Sequence, residues 1–470
     1  MTPEQWLKDP RQERCLLAKI NYLYGGVKQA YVGTHSYSSL PEDTPANQAF
    51  DELLMDTPSF SRRMGIFTGR TSAARSTLGL FAHSWLDDLL AGNVFDQAVE
   101  LFIGDKDWPL SSFIQISEQL IERAVAQNDL IRIETRDSSL KLDKVIDTGT
   151  FSTGANKGKA KPLCVGDVFN IEPVLEDAAT HRYRAHFDAV DDIPDVRDNG
   201  LSVSFTKDVA NGSFNLSQAP TGKITCNVRG AKPSDYLQYP AEVISWLLTR
   251  FASETKIGDL SSLPTVKIGI YQREPKKVRG LIDLICASCN AYHYYSRLGQ
   301  FNVGLMPELT NSFTKELTLD DIQENGLRIR KTIEPVSKVV VNYRQNHTEQ
   351  SSALAGSIDA ATRELFSNKY QSVEAVNDLP DYPNAQPITI DTCLVELTDA
   401  QALASSKALA ASVKRTIYEV NAFGAPFLFE LGDEINVTAW GYGFSSGKTA
   451  IVTALTDDPI NGEVTLELWR

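Results

Sequence analysis

The clearest change of period along the chain falls between residues 278 and 306, VRGLIDLICASCNAYHYYSRLGQFNVGLM. Leu281, Leu284, Ile285 and Ser288 share one face at helical spacing, and the first three make an apolar stripe. Tyr292, His293, Tyr294 and Tyr295 then begin a run that suits a pleated surface. Residues 296–300 read as a short turn in which Gly299 can take a positive φ. Phe301, Val303 and Leu305 alternate on the way back. The pattern predicts a helix packed on a tight hairpin. It carries no nucleophile with a neighbouring base, so its task is architectural.

The same reading along the rest of the chain gives many short strands and few helices. Residues 15–34 predict a hairpin turning at Gly25 and Gly26, and residues 36–62 an ordered loop around an apolar segment at 50–54. Strands are expected at 78–81, 94–102 and 130–135. The Gly/Thr/Lys-rich stretch 147–163 is a connector, followed by a β-rich block to about residue 231. Asn199-Gly200, Asn211-Gly212 and Asn461-Gly462 signal tight turns. Pro240 opens a predicted helix over 240–254 with Val243, Ile244, Leu247, Leu248 and Phe251 as its stripe. A buried strand is expected within 333–343, a polar, mobile loop over 345–361, and a long helix over 399–420 through Leu403, Leu409, Val413 and Ile417. The end of the chain reads as successive strands. The fold class is therefore α+β and β-rich: several small barrel or sandwich units with a few packed helices. The expected division is 1–150, an N-terminal barrel-like unit; 151–235, a β-rich insertion; 236–330, the helix–hairpin unit; and 331–470, barrel-like with one long helix.

Length and composition fit this division, because 470 residues allow about three domains and a hydrophobic share of 42 % supports a real core. A formal net charge of −14, from 60 acidic and 46 basic residues, argues against a general nucleic-acid binder. No stretch approaches the roughly 20 apolar residues that cross a bilayer, and the N-terminus lacks an apolar leader core. Synthesis in the cytoplasm, without membrane insertion, is the expectation. The 6 cysteines are scattered and read as small buried hydrophobes rather than disulfides.

Four groups of residues invite a chemical reading. Residues 441–449, GYGFSSGKT, resemble a phosphate-binding loop, but Tyr442 stands where that loop needs glycine and a strand rather than a helix follows Lys448 and Thr449. Cys286 and Cys289 lie one helical turn apart, yet a closed four-ligand metal site would have to recruit distant groups such as Cys226, His293 or Cys393. His181 and His186 are separated by an odd number of positions and would point to opposite faces of a strand, one to solvent and one half-buried. The adjacent pairs Asp87-Asp88, Asp191-Asp192 and Asp457-Asp458 read as turn or surface residues, because a two-carboxylate hydrolase needs groups that converge across a cleft. No catalytic, cofactor-binding or metal residue is assigned, and no enzymatic activity is expected.

The order of three motifs resembles one family. These are the helix, aromatic strand and R-L-G turn with F-x-V-G at 278–306; S-Y-S-S-L-P-E-D-T-P-A-N-Q-A-F-D-E-L-L at 36–54; and L-G-D-E-I-N-V, G-K-T-A-I-V and G-E-V-T-L-E-L-W towards the end. Together they resemble the baseplate hub, or tail-tip, proteins of long-tailed bacteriophages and prophages. The resemblance implies two tail-tube-like barrel units, drawn here from about 1–150 and 331–470, with three copies mimicking six to cap a sixfold tube. It implies a trimeric virion protein with the distal tail protein ring, the central fibre or tip proteins and the tape-measure protein as partners. Two other readings stay open: a hexameric distal tail protein, and a tail-tip enzyme that binds or cleaves carbohydrate. Hubs of the family often carry a lytic or fibre-like extension, which the sequence to Arg470 does not show.

Overall fold

A computed structural model describes residues 3–9, 11–56, 59–65, 71–72, 75–352, 354–424 and 427–470. Residues 57–58 of the predicted loop 36–62 and residue 353 of the predicted loop 345–361 lie outside them. Strands dominate, in six sheets, and no sheet closes into a barrel among the described residues. The α+β, β-rich reading holds, with open sheets in place of barrels.

The first large sheet has nine strands, running Tyr37–Ser38, Ala49–Glu52, Val27–Gly33, Cys15–Leu23, Ala98–Gly104, Ile114–Gln127, Leu130–Arg136, Arg75–Phe81 and Leu54–Asp56. Cys15–Leu23 is buried on both sides. Leu16, Ala18 and Ile20 enter one core, while Cys15 and Leu17 enter a smaller one with Tyr37, Phe50 and Phe113. Alternation sends successive side chains to opposite faces, so one strand serves two cores.

The second large sheet orders Lys315–Leu317, Glu434–Val437, Lys448–Asp458, Glu463–Trp469, Arg415–Phe423 and Ile322–Ile333. Two further strands come from early in the chain. Phe60–Met64 pairs antiparallel with Lys448–Asp458, Arg63 opposite Ala454 and Phe60 opposite Asp457, and Thr71–Ser72 pairs with Phe60–Met64. The chain thus leaves the first sheet at Leu54–Asp56, contributes to the second, and returns at Arg75–Phe81.

Between them, five strands form one sheet around Leu163–Ile171, Val190–Asp198 and Ile224–Ala231, and a four-stranded sheet lies beside it in sequence. The predicted turn at Asn199-Gly200 is present, with φ of 49° and 83°, the left-handed pair that a two-residue hairpin turn requires. Helix Pro240–Leu247 continues as a π-turn over Leu248–Ala252. Lys338–Tyr343 is the centre of a three-stranded sheet with Gln371–Val376 and Pro387–Asp391 at its edges.

Helix Leu397–Ala410 packs on that sheet and stops ten residues short of the expected end at 420. The β-branched and aromatic run after Lys414 becomes strand Arg415–Phe423 instead. Its buried stripe is Ala400, Leu403, Ala404, Lys407 and Ala408, whereas Leu409, expected inside, is 70 % exposed. The described residues of 345–359 form no helix or strand before helix Ala360–Ser367, yet Asn346, Thr348 and Gln350 are buried. The Asn346 side chain anchors this segment, donating to the carbonyls of Phe366 and Asn368 and accepting from Asn170.

Candidate functional site

The helix–hairpin forms as its pattern predicts: helix Val278–Ser288, then strands Ala291–Tyr295 and Phe301–Leu305 in register from Ala291 opposite Leu305 to Tyr295 opposite Phe301. Leu281, Ile282, Ile285 and Cys286 pack into the core that also holds Tyr295 and Phe301. Gly299 takes φ 73° in the turn. Tyr295 donates its hydroxyl to Glu254 at 3.1 Å, and His293 Nε2 meets Asp283 at 2.8 Å. These contacts make the hairpin a stiff platform that presents its turn residue, Arg297.

Arg297 joins the two large sheets. Its carbonyl accepts from the Glu118 N–H of the nine-stranded sheet at 2.7 Å. Its guanidinium donates to Glu430 Oε1 at 2.6 and 3.1 Å and to the carbonyls of Phe427 and Phe429 at 2.8 and 3.3 Å. The other oxygen of Glu430 accepts from Arg62 on Phe60–Met64 at 2.6 Å. Burial would raise the Glu430 carboxyl, but Arg62 and Arg297 outweigh it and hold it below its ordinary value. Asp457, 1 % exposed, accepts from the Phe427 N–H at 2.9 Å, and burial raises its carboxyl despite Arg297 and Arg62 nearby. Tyr292 closes the joint by donating to the Leu431 carbonyl at 3.1 Å. Gly432, at φ 88°, has no room for a Cβ, which would sit 2.2 Å from that hydroxyl oxygen.

The sequence-level candidates do not converge on this joint, except for one. Asp457, expected at a turn or surface, is fully buried in it, and Asp458 alone serves the turn, accepting from Ile460 and Asn461. Asp88 pairs with Lys28; Asp191 takes Arg229 and Lys232, and Asp192 takes Lys207. These carboxylates are spent on separate cations. His181 sits in a turn at φ 49° rather than on a strand. His186 is fully buried, beyond the half-buried place expected for one of the two; its Nδ1 accepts from the Cys164 N–H at 2.9 Å, and burial lowers it to about 3, which keeps it neutral. Lys448 and Thr449 open a strand, and the Lys448 ammonium leans on the Phe444 ring at 5.5 Å.

Cys286 and Cys289 are buried with Cys393, whose thiol lies 3.2 Å from Ser288 Oγ. Burial raises all three thiols, Cys393 to about 12, so the thiolate that a metal or a redox step would use is disfavoured. Among the described residues no group of three His, Cys, Asp or Glu is placed to hold a metal ion. No described helix is long and apolar enough to cross a membrane.

The sequence reading assigns no role to Arg62 or Glu430 and takes Arg297 only as part of the R-L-G turn. The available signal is Arg62, which occupies an inward position in the alternating F-S-R-R-M strand. Exposed apolar groups gather elsewhere, at one end of the nine-stranded sheet. Leu23 pairs with Val27 at the hairpin tip and Leu130 with Phe81 across two adjacent strands, and Tyr24, Val27, Phe81 and Val125 are all exposed. The outer edge of the eight-stranded sheet is Ile322–Ile333, whose Arg328, Ile329, Arg330 and Lys331 face solvent.

No protein-family model matches the chain, and no curated protein matches its sequence. Solved structures do resemble it. A tail protein from Neisseria meningitidis MC58 aligns over 97 % of both chains at 9 % identity with a TM-score of 0.45. The 43 kDa tail protein of prophage MuSo2 from Shewanella oneidensis aligns over 97 % of this chain and 98 % of its own, at 9 % identity and 0.43. Prophage tail protein gp18 from Listeria monocytogenes EGD-e aligns over 97 % and 94 %, at 9 % identity and 0.40.

Proposed function

We propose that this chain is a structural subunit of a phage-type tail, a baseplate hub that closes the distal end of the tail tube. The observation that carries the reading is the joint at Arg297, which makes one body of two large open sheets whose outermost strands, the long Ile322–Ile333 above all, pair on one side only among the described residues. Such edges expose rows of N–H and C=O groups that a soluble monomer must manage and an assembly can pair. The motif order at 36–54, 278–306 and the closing strands supports the hub in particular. In this reading three copies close a ring through those edges. The distal tail protein ring sits on one side and the central fibre or tip proteins on the other. The tape-measure protein and the genome pass through the lumen without specific contacts. The units 1–150, 151–235, 236–330 and 331–470 stay its proposed divisions, with strand Ile322–Ile333 crossing the last boundary and Phe60–Met64 joining the sheet of the last unit, and the virion tail is its proposed destination.

Light scattering of the purified chain, followed by negative-stain imaging after mixing with the distal tail protein, tests the proposal. A trimeric mass and rings that cap the distal tail protein are expected. A hexamer would assign the chain to the distal ring itself. Monomers that ignore the distal protein and release sugars from host cell wall would replace assembly with tail-tip enzymology.

A further inference from the structure

Separate from assembly, the geometry points to a small-ligand cleft that takes an amino-acid- or peptide-type zwitterion, its carboxylate on Arg344 and its ammonium at Glu364. The cavity measures about 470 Å³ and is lined by Arg344, Glu364, Asn368, Tyr370, Gln371 and Ser372, with Leu365 and Ala361 at its side. That volume lies within the range of small-molecule sites.

Arg344 follows the central strand Lys338–Tyr343 and adopts φ 46°, a left-handed backbone that is costly for a residue with a Cβ. Its N–H is tied to the Leu394 carbonyl at 2.7 Å. Its guanidinium lies 5.2 Å from the centre of the Phe169 ring. Stacking on an aromatic face orients the guanidinium and leaves its edge N–H groups for a planar acceptor. Among the described residues no carboxylate forms an ion pair with Arg344, and no cation pairs with Glu364.

Two opposite, solvent-exposed charges therefore border one cavity, and neither is in a salt bridge within the chain, although Arg344 also draws down the nearby Asp167 carboxyl that burial raises. A simple anion would meet Glu364 and a simple cation would meet Arg344, whereas a ligand carrying both charges answers both. Glu364 also lies in the last turn of helix Ala360–Ser367, where the carbonyl end favours positive charge. The surroundings are held in place. Asn346 Nδ2 donates to the carbonyls of Phe366 and Asn368 at 2.7 and 3.1 Å, and Ser372 donates to Asn342 at 2.6 Å. A pre-ordered floor of this kind lowers the ordering cost of binding.

Calorimetric titration of the full chain with alanyl-alanine tests the site, alongside the same dipeptide amidated at its C-terminus or acetylated at its N-terminus. Saturable binding of the free dipeptide is expected, weakened tenfold or more by C-terminal amidation or by Arg344→Gln. N-acetylation should weaken binding to the natural chain and make no difference in Glu364→Gln. Arg344→Gly suits the left-handed backbone, so it should keep the melting temperature and still lose the dipeptide. No saturable binding at millimolar dipeptide, or undiminished binding in both Arg344 variants, overturns the proposal. Oligomeric state is read separately and does not depend on this result.

Discussion

Two polar clusters flank the same helix–hairpin and solve burial in opposite ways. At the turn end, Arg62, Arg297, Glu430 and Asp457 bring full charges together. At the helix end, Ser288 and Cys393 meet Cys286 and Cys289 with no charge at all. There Ser288 donates to the Leu284 carbonyl at 2.7 Å and accepts from the Cys393 N–H at 3.0 Å, while the thiols fill space. The pairing of Glu430 with Arg62 and Arg297 depends on every partner, because removing one leaves the others without their ion pair. A thiol cluster depends on volume alone. The first fastens parts of the chain through charge; the second joins Ser288 to Cys393, 105 positions on, without any charge.

The sharpest way to break this contrast is Glu430→Ala. It removes the carboxylate that accepts hydrogen bonds from Arg62, whose side chain is 4 % exposed, and from Arg297. Because Glu430 itself keeps 33 % of its side-chain exposure, the loss should be about 3 kcal/mol, at the low end for a broken buried pair. Urea unfolding measures it, and a loss below about 1 kcal/mol would make the joint ornamental. Gly432→Ala should cost about 2 kcal/mol, from its positive φ and the collision with the Tyr292 hydroxyl, and Tyr292→Phe in the same chain should return part of that cost.

On the thiol side, Cys393→Ala should cost only about 1 kcal/mol, the burial of roughly one heavy atom. A loss as large as that of Glu430→Ala would erase the distinction between the clusters.

The smallest effect carries a pH signature. Burial raises the Asp457 carboxyl, so its ionised form costs stability above the unfolded value. Asp457→Asn should therefore stabilise the chain by about 0.5 kcal/mol at neutral pH, provided the amide oxygen keeps the Phe427 N–H. That gain should fade as pH falls through the raised folded value. Glu430 has the reverse sign: its contribution is complete above the ordinary value of 4.5 and is lost as pH falls through its lowered folded value. Melting curves of the natural chain and of Asp457→Asn across acidic pH separate the two.

The same contrast marks what was legible in the chain. The helix–hairpin was readable because both of its periods are clean and its turn carries a glycine. Strand Ile114–Gln127, the longest of the nine-stranded sheet, went unseen because two bulges break its alternation, between Gln115 and Ser117 and between Ile121 and Arg123. Each bulge moves the following side chains to the other face. Helix Leu397–Ala410 reads as longer from sequence because Val413 and Ile417 sit at helical spacing from Leu409, although both are β-branched and belong to the run that ends in a strand. The joint was illegible except at Arg62, since its members lie at positions 62, 297, 430 and 457 and only the fold brings them together. Edge strands and exposed apolar ends belong to tertiary structure and leave no local pattern.

The most direct test of the assembly account is sedimentation equilibrium of the full chain across micromolar concentrations. The account predicts a single species of three times the 51.9 kDa chain mass, persisting on dilution. A monomer at every concentration, with its edges uncovered and still soluble, would contradict it.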